Sequence, residues 1–269
     1  FHGWLPEAMA APAPVSALLH AVAVVKAGAF GIVRMIYDVY GIGTVAELGL
    51  GVPLAALASV TILYGSVRAL MQRDLKKRLA YSTVSQVSYI VLGASLIGPF
   101  AVIGGLVHLV HQGIMKITLF MCAGALANRM GIKAIADLDG AGRQMPVTMA
   151  AFSVGALGMI GMPPVAGFIS KWYLGIGALQ SDAAWVVAVL AGSSLLNAAY
   201  FLPLLYRAWL LPPPADRPAI RELATTRDRM LILPAALTAL VSLGAGIFAS
   251  LPFSPLGWAT LIAEGGYLR

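Results

Sequence analysis

Apolar residues occupy this chain in long blocks, with polar residues confined to short intervals between them. A membrane-spanning helix needs about 20 mainly apolar residues. Seven stretches meet that length: 13–35, 49–71, 79–98, 99–127, 146–180, 183–209 and 230–250. The fifth is too long for one plain span and is interrupted by Gly161-Met162-Pro163-Pro164. Proline removes a backbone donor and clashes with the preceding turn, so the pattern predicts a broken helix, 146–160 then 165–179. Such breaks survive at membrane depth only where protein or water satisfies the freed backbone groups, and they recur at transporter ion sites. The tail 251–269 is too short to span again.

Composition agrees with that reading. Of 269 residues, 59% are hydrophobic and only 11% charged, against roughly one quarter charged in a soluble domain. The predicted fold class is all-α, a polytopic transmembrane helical bundle with one broken helix, treated as a single domain over 1–269. The net charge of +7 belongs to cytoplasmic loops and lipid headgroups rather than to nucleic acid. A single cysteine, Cys122, lies in an apolar run and rules out internal disulfides and cysteine-cluster metal sites. The opening FHGWLPEAM has no initiator Met and no basic n-region, so it is not a signal peptide. It reads as part of a longer chain, entered between two membrane segments.

The connections alternate in charge. Arg73-Asp74-Leu75-Lys76-Lys77-Arg78 is strongly basic, and the intervals 128–145 and 207–229 carry Arg129, Lys133, Arg143, Arg207, Arg217, Arg221, Arg227 and Arg229. The intervening connections hold Asp38, Glu47 and Asp182, with Arg34 the one basic residue near that side. The positive-inside rule then places the basic connections in the cytoplasm, with Phe1 inside and Arg269 outside an inner (plasma) membrane. Asp74, Lys76, Lys77 and Arg78 read most simply as an interfacial anchor. No convincing repeat or low-complexity tract is visible, and Pro212-Pro213-Pro214 stiffens one loop.

The apolar segments nevertheless contain His20, Lys26, His108, His111, Lys116 and Lys171. A lysine at a helix centre costs about 2.5–3.5 kcal/mol on insertion scales, so three facing lipid would cost roughly 9 kcal/mol. They are therefore expected to face the bundle interior, beside water or polar groups; the alternative for each is snorkelling to an interface. His108, Gln112 and Lys116 recur at i, i+4 and i+8 and share one stripe of a helix, with His111 on its near side. Histidine titrates near neutral pH, and a desolvated lysine gives up its proton more readily than one in water. Chains of such groups mark proton routes. His20 lies about 120° around its helix from Lys26, so the two need not share a face; it is either a packing residue or a relay. His111 is either part of the route or bonded to a nearby carbonyl. Ser82, Thr83, Ser85 and Gln86 either line a polar path or join helices. Asn197 and Tyr200 read as hydrogen bonds between helices, and Gly155, Gly158 and Gly161, spaced by three, as a close-packing stripe. No phosphate loop, metal-ligand cluster or Ser-His-Asp constellation is evident, so no catalytic centre, cofactor or metal is expected in this chain.

Four stretches carry a family likeness. HGWLPEAMAAPAPVSALLHAVAVVKAG (2–28) resembles the signature of the antiporter-like, proton-translocating membrane subunits of respiratory complex I (NADH:quinone oxidoreductase). Membrane-bound hydrogenases and Mrp-type multisubunit cation/proton antiporters share it. RDLKKRLAYSTVSQVSY (73–89), HLVHQGIMKITLF (108–120) and GMPPVAGFISKW (161–172) resemble three further motifs of that family, in the same order. The resemblance implies about fourteen core helices built on two inverted five-helix repeats. This chain would be the last helix of the first repeat, all of the second, and one helix more. The missing part would carry the family's helix glutamate and another lysine of the first half-channel; Glu7 belongs to the loop motif and does not replace that glutamate. By position, Lys26 resembles a lysine found at this helix in several members, and Lys116 the central lysine joining two half-channels. Lys171 resembles the lysine of the broken helix that exchanges protons with the outside, a position where some members have glutamate. His108 resembles a family histidine. Gln112 stands where quinone-reductase members often have a second histidine, and His111 is adjacent.

The resemblance implies a proton-translocating, antiporter-like subunit of a multisubunit membrane complex of NADH:quinone oxidoreductase or hydrogenase type, working along Lys26, His108, His111, Lys116 and Lys171, with His20, Gln112, Asp74 and Lys77 in support and a break at Gly161, Pro163 and Pro164. Its partners would be other membrane subunits, the lipid bilayer and protons. The alternatives are an Mrp-type Na⁺ or K⁺/H⁺ antiporter subunit without a redox partner, and a non-transporting scaffold.

Overall fold

The computed structural model describes residues 4–21, 24–215, 222–223 and 225–267. Phe1, Arg217, Arg221 and Arg269, and with them the placement of the two ends of the chain, lie outside the described residues.

Helices account for almost every described element. The first span is Pro14–Tyr40, comprising α1 (Ala13–Ala21), α2 (Val24–Arg34) and a wider π turn over Met35–Tyr40. It runs past the expected end at 35. Gly41 ends it with φ 79°, a left-handed value that glycine adopts at no steric cost. There follow α3 (Gly51–Leu70), α4 (Leu75–Ser95) and the long α5 (Pro99–Met130). The predicted broken helix is α6 (Pro146–Ile160) and α7 (Ala166–Gln180). After it come α8 (Ala184–Leu210), α9 (Thr226–Ile247) and α10 (Pro255–Tyr267). Five of the described helical runs are long and apolar enough to cross a membrane. The tail forms a 13-residue helix, roughly 20 Å long at 1.5 Å per residue. It lies against α5 through Ala259 and Ala263 on Val102, Ile103 and Val107.

α5 is the central post, packed by α1, α4, α6, α7, α9 and α10. Polarity is distributed as a bilayer requires. Leu57, Val60, Leu195, Leu202, Leu233, Leu237 and Leu240 face outward, whereas Ser82, Thr83, Gln86, His108, Gln112, Lys116 and Asn197 are fully buried. In lipid the apolar side of a helix has no reason to turn inward, so the scarce polar groups collect between helices.

The basic connections gather at one end. Leu75 N–H donates to the Lys133 carbonyl and Ile135 N–H to that of Arg73, both at 2.9 Å. Arg207 reaches the Ile135 carbonyl at 3.2 Å, and Arg129 pairs with Asp228 at 3.1 Å. Within this end the expected anchor is differentiated. Asp74 caps α4 by accepting from Lys77 N–H at 2.8 Å, and Lys77's own side chain is exposed. Arg78, by contrast, turns inward and donates to the carbonyls of Leu70 (3.1 Å), Gln72 (2.7 Å) and Tyr200 (3.0 Å). It closes the α3–α4 turn onto α8 rather than reaching for headgroups. Five donors in a rigid fork suit that task better than a lysine would.

Candidate functional site: buried amines at a helix break

The end of α6 determines where Lys171 goes. A helix leaves its last four carbonyls without intrahelical donors; here they belong to Leu157, Gly158, Met159 and Ile160. Gly161, at φ 95°, sends its N–H to Gly158, and Met162 N–H returns to Leu157, both at 3.0 Å. This is the Schellman arrangement, and it satisfies two of the four. Lys171, one turn into α7, satisfies the rest, donating to Met159 at 3.0 Å and Ile160 at 2.8 Å. Its third contact is the Ser194 hydroxyl of α8 at 2.9 Å, and its amine lies 5.5 Å from the Tyr89 ring centre. A cation at a helix C-terminus is favoured by the backbone dipoles. Of the expected glycine stripe, Gly155 and Gly158 do pack closely, on Leu119 and Met115 of α5. Gly161 serves differently: a Cβ there would come within 2.7 Å of Lys171 Cδ.

α5 presents its stripe to two different neighbours. Lys116 turns to α4, donating to the Leu79 carbonyl at 2.9 Å and to the Ser82 hydroxyl. The two histidines turn to α7. His111 Nδ1 lies 2.8 Å from the Ala166 carbonyl; a carbonyl only accepts, so Nδ1 carries the hydrogen. Ser170 donates to the Gly167 carbonyl at 3.1 Å, which leaves its lone pairs to accept from His108 Nδ1 at 2.8 Å. His111 Nε2 and both amide atoms of Gln112 and Gln86 are buried without a partner among the described residues. His20 of α1 stacks on Phe120 with ring centres 4.7 Å apart, and neither of its ring nitrogens has a partner among the described residues. Its charged neighbour is Lys116, whereas Lys26 turns to Leu109, so the two do not share a face, which the 120° offset left open.

Lys26 of α2 donates to the Leu109 carbonyl of α5 and lies over Gly113, where a Cβ would stand 2.6 Å from its Nζ. A cavity of about 430 Å³ opens beside it, walled by Ala27, Phe30, Val110, Ile114 and Ile117. Among the described residues the ion pairs are made by Arg34, Arg129 and Arg207, and none of the three lysines joins a carboxylate. Each amine is held instead by carbonyl or hydroxyl oxygens of another helix. Asp74 and Lys77 sit apart from these groups, lining a cavity of about 860 Å³ at the basic end with Glu7, Arg68, Lys76 and Lys133. Sequence reasoning did not pick out Ser170 and Ser194. Ser194 is one of two serines in a small-residue run and Ser170 sits beside the more conspicuous Lys171, and only the α7 and α8 contacts distinguish them.

A family model described as NADH:quinone oxidoreductase/Mrp antiporter, TM, matches residues 1–197. The chain belongs to the NADH:quinone oxidoreductase/Mrp antiporter family. Relatives come from both branches of it. NADH-quinone oxidoreductase subunit N of Desulforudis audaxviator is 42% identical over 250 residues, covering 91% of this chain and 50% of that protein. The A/B component of a probable K⁺/H⁺ antiporter of Rhizobium meliloti is 38% identical over 225 residues, covering 81% of this chain and 22% of that one. The chain thus spans half or less of the length of these relatives. Among solved structures, the Mrp complex of Dietzia sp. matches with TM-score 0.81 at 25% identity, over 99% of this chain and 57% of that one. An archaeal membrane-bound sulfane sulfur reductase gives 0.84 at 28%, over 97% and 51% respectively. Respiratory complex I of Thermus thermophilus gives 0.79 at 25%, over 98% and 54%. The family match includes Lys26, Lys116 and Lys171, so the helix break and all three amines belong to the shared family region. As a family member the chain is a multi-pass membrane protein, consistent with the plasma membrane.

Proposed function

We propose that this chain moves protons as an antiporter-like subunit of a larger membrane complex of the quinone-reductase type. One observation carries the reading: three lysines at membrane depth turn inward onto oxygens of neighbouring helices, and none is tied to a carboxylate among the described residues. A salt-bridged amine would be a structural pair; an amine held by neutral oxygens is positioned without a fixed counter-charge. Protons would pass along Lys26, the His108 and His111 pair, Lys116 and Lys171. Water bound at the unpartnered atoms of Gln86, Gln112 and His111 would bridge them, since a buried polar atom left unmade costs about 1–3 kcal/mol and such sites hold water. A charge arriving at one amine would alter the proton affinity of the next. His20, beside Lys116, and Gln112 would support this chain of groups. Asp74 and Lys77 would do so only at the rim, where the basic connections face the cytoplasm.

The decisive variant is Lys116→Ala in the intact complex reconstituted into proteoliposomes. We expect assembly at normal levels with proton uptake abolished; uptake at the wild-type rate would overturn the proposal. The antiporter relatives favour a second reading, Na⁺ or K⁺ exchange for protons without a redox partner. Purifying the native complex separates the two: co-purifying redox subunits support the first, and small antiporter subunits with cation-dependent proton flux support the second.

A further inference from the structure

Between Lys171 and Lys116 the structure contains a second connection, independent of the stripe on α5. Met159 O accepts from Lys171 Nζ at 3.0 Å and also from Asn197 Nδ2 at 3.1 Å. Asn197 Oδ1 accepts from the Tyr200 hydroxyl one turn along α8. That hydroxyl lies beside Ser82, whose own oxygen accepts from Lys116. Asn197, Tyr200 and Ser82 are all fully buried. The backbone there is also held, because Arg78 donates to the Tyr200 carbonyl at 3.0 Å.

We infer that Asn197 and Tyr200 are a positioning pair that links the surroundings of Lys171 to those of Lys116. The donors have an order. Asn197 offers its amide hydrogen to the carbonyl that Lys171 also uses, and its oxygen receives Tyr200. The Tyr200 hydrogen is thereby committed to Asn197, and the Ser82 hydroxyl, 2.8 Å from the Leu79 carbonyl that Lys116 also uses, turns its one hydrogen either to that carbonyl or to the phenol oxygen. When Lys171 changes its hold on Met159, the carbonyl it shares with Asn197 accepts more or less strongly from the amide, and the change reaches Ser82 and Lys116 through Tyr200. No proton needs to reside on the amide. The pair sets the geometry in which the two lysines respond to each other, and hydrogen-bond chains in a low-dielectric interior strengthen one another in this way.

The inference rests on the proton-translocating reading, so its test runs beside Lys116→Ala. Tyr200→Phe keeps the ring and removes only the hydroxyl; Asn197→Leu removes both amide contacts at similar volume. In proteoliposomes holding the intact complex, both variants are expected to assemble and to move protons at least about fivefold more slowly, the effect of one hydrogen bond lost from a transition state. The pH profile of transport is expected to shift as well. Tyr200→Phe with the wild-type rate and profile, while Lys116→Ala is inactive, overturns the inference and leaves the proposed function standing. A lowered yield with unchanged rate and profile per assembled complex also overturns it, because the pair is then only structural. Lys116→Ala at the wild-type rate removes the reading on which the inference stands.

Discussion

Lys171→Met separates a lysine that caps a helix from one that carries protons. The substitution keeps most of the apolar stem and removes the amine. Ile160 loses its donor, while Met159 keeps Asn197 at 3.1 Å. Leaving one carbonyl unmade costs about 1–3 kcal/mol. Ser194 can return its hydroxyl to a carbonyl of its own helix at little cost. Against this, taking an amine out of membrane depth recovers about 2.5–3.5 kcal/mol. The two effects nearly cancel, so the variant is expected within about 1–2 kcal/mol of the wild type in stability. For a helical domain this size that is a few degrees in melting temperature. Near-ultraviolet circular dichroism of the purified complex on heating would read the midpoint, and dye-monitored proton uptake in proteoliposomes would read transport. The expected pair of results is a near-normal midpoint with uptake lost. A midpoint lowered by ten degrees or more, or uptake preserved, would refute the reasoning; the first would make Lys171 a structural cap.

Other outcomes follow from single contacts. Gly113→Ala places a Cβ 2.6 Å from Lys26 Nζ and 2.9 Å from the Ala21 carbonyl, so Lys26 is expected to lose Leu109 and transport to fall, with assembly intact by blue-native gel. Gly161→Ala forces a left-handed residue that costs about 1–2 kcal/mol and crowds Lys171, so the melting midpoint and the transport rate should fall together. Glu222 accepts from Val147 N–H at 2.8 Å and Thr148 N–H at 2.6 Å at the start of α6. Glu222→Ala should therefore cost about 1–2 kcal/mol, seen as a lower thermal midpoint, with Glu222→Gln recovering part of it. Arg78→Met strands two carbonyls at the α3–α4 turn and that of Tyr200 on α8 and should cost about 2–3 kcal/mol, with faster proteolysis between Met71 and Asp74 as the readout.

Local features of the chain were legible before any fold was known. Span lengths follow from apolar runs, because the bilayer's thickness is a property of the solvent rather than of the protein. The break between α6 and α7 follows from glycine and two prolines, whose backbone limits act within one turn. That Lys116 and Lys26 face inward follows from the cost of an amine in hydrocarbon, whatever their partners are. The basic end was readable for the same reason, since charge is counted along the chain.

The partners were not readable in this way. His108, Gln112 and Lys116 share a stripe, yet the histidine hydrogen-bonds to α7 and the lysine to α4, because α7 starts at Ala166 beside His111 while α4 reaches on to Leu79 beside Lys116. Arg78 sits in a basic hexapeptide and still turns inward, since the carbonyls it serves come from residues 70, 72 and 200, brought together only by packing. The same holds for Lys171 at the end of α6, and for Asn197 and Tyr200 between two amines that lie 55 residues apart in the chain. Hydropathy and backbone restriction act on neighbours in sequence, so the sequence alone determined the apolar helical runs, the break and the inward amines. A hydrogen bond needs two atoms within about 3 Å, and which helices supply them was decided only when the bundle packed.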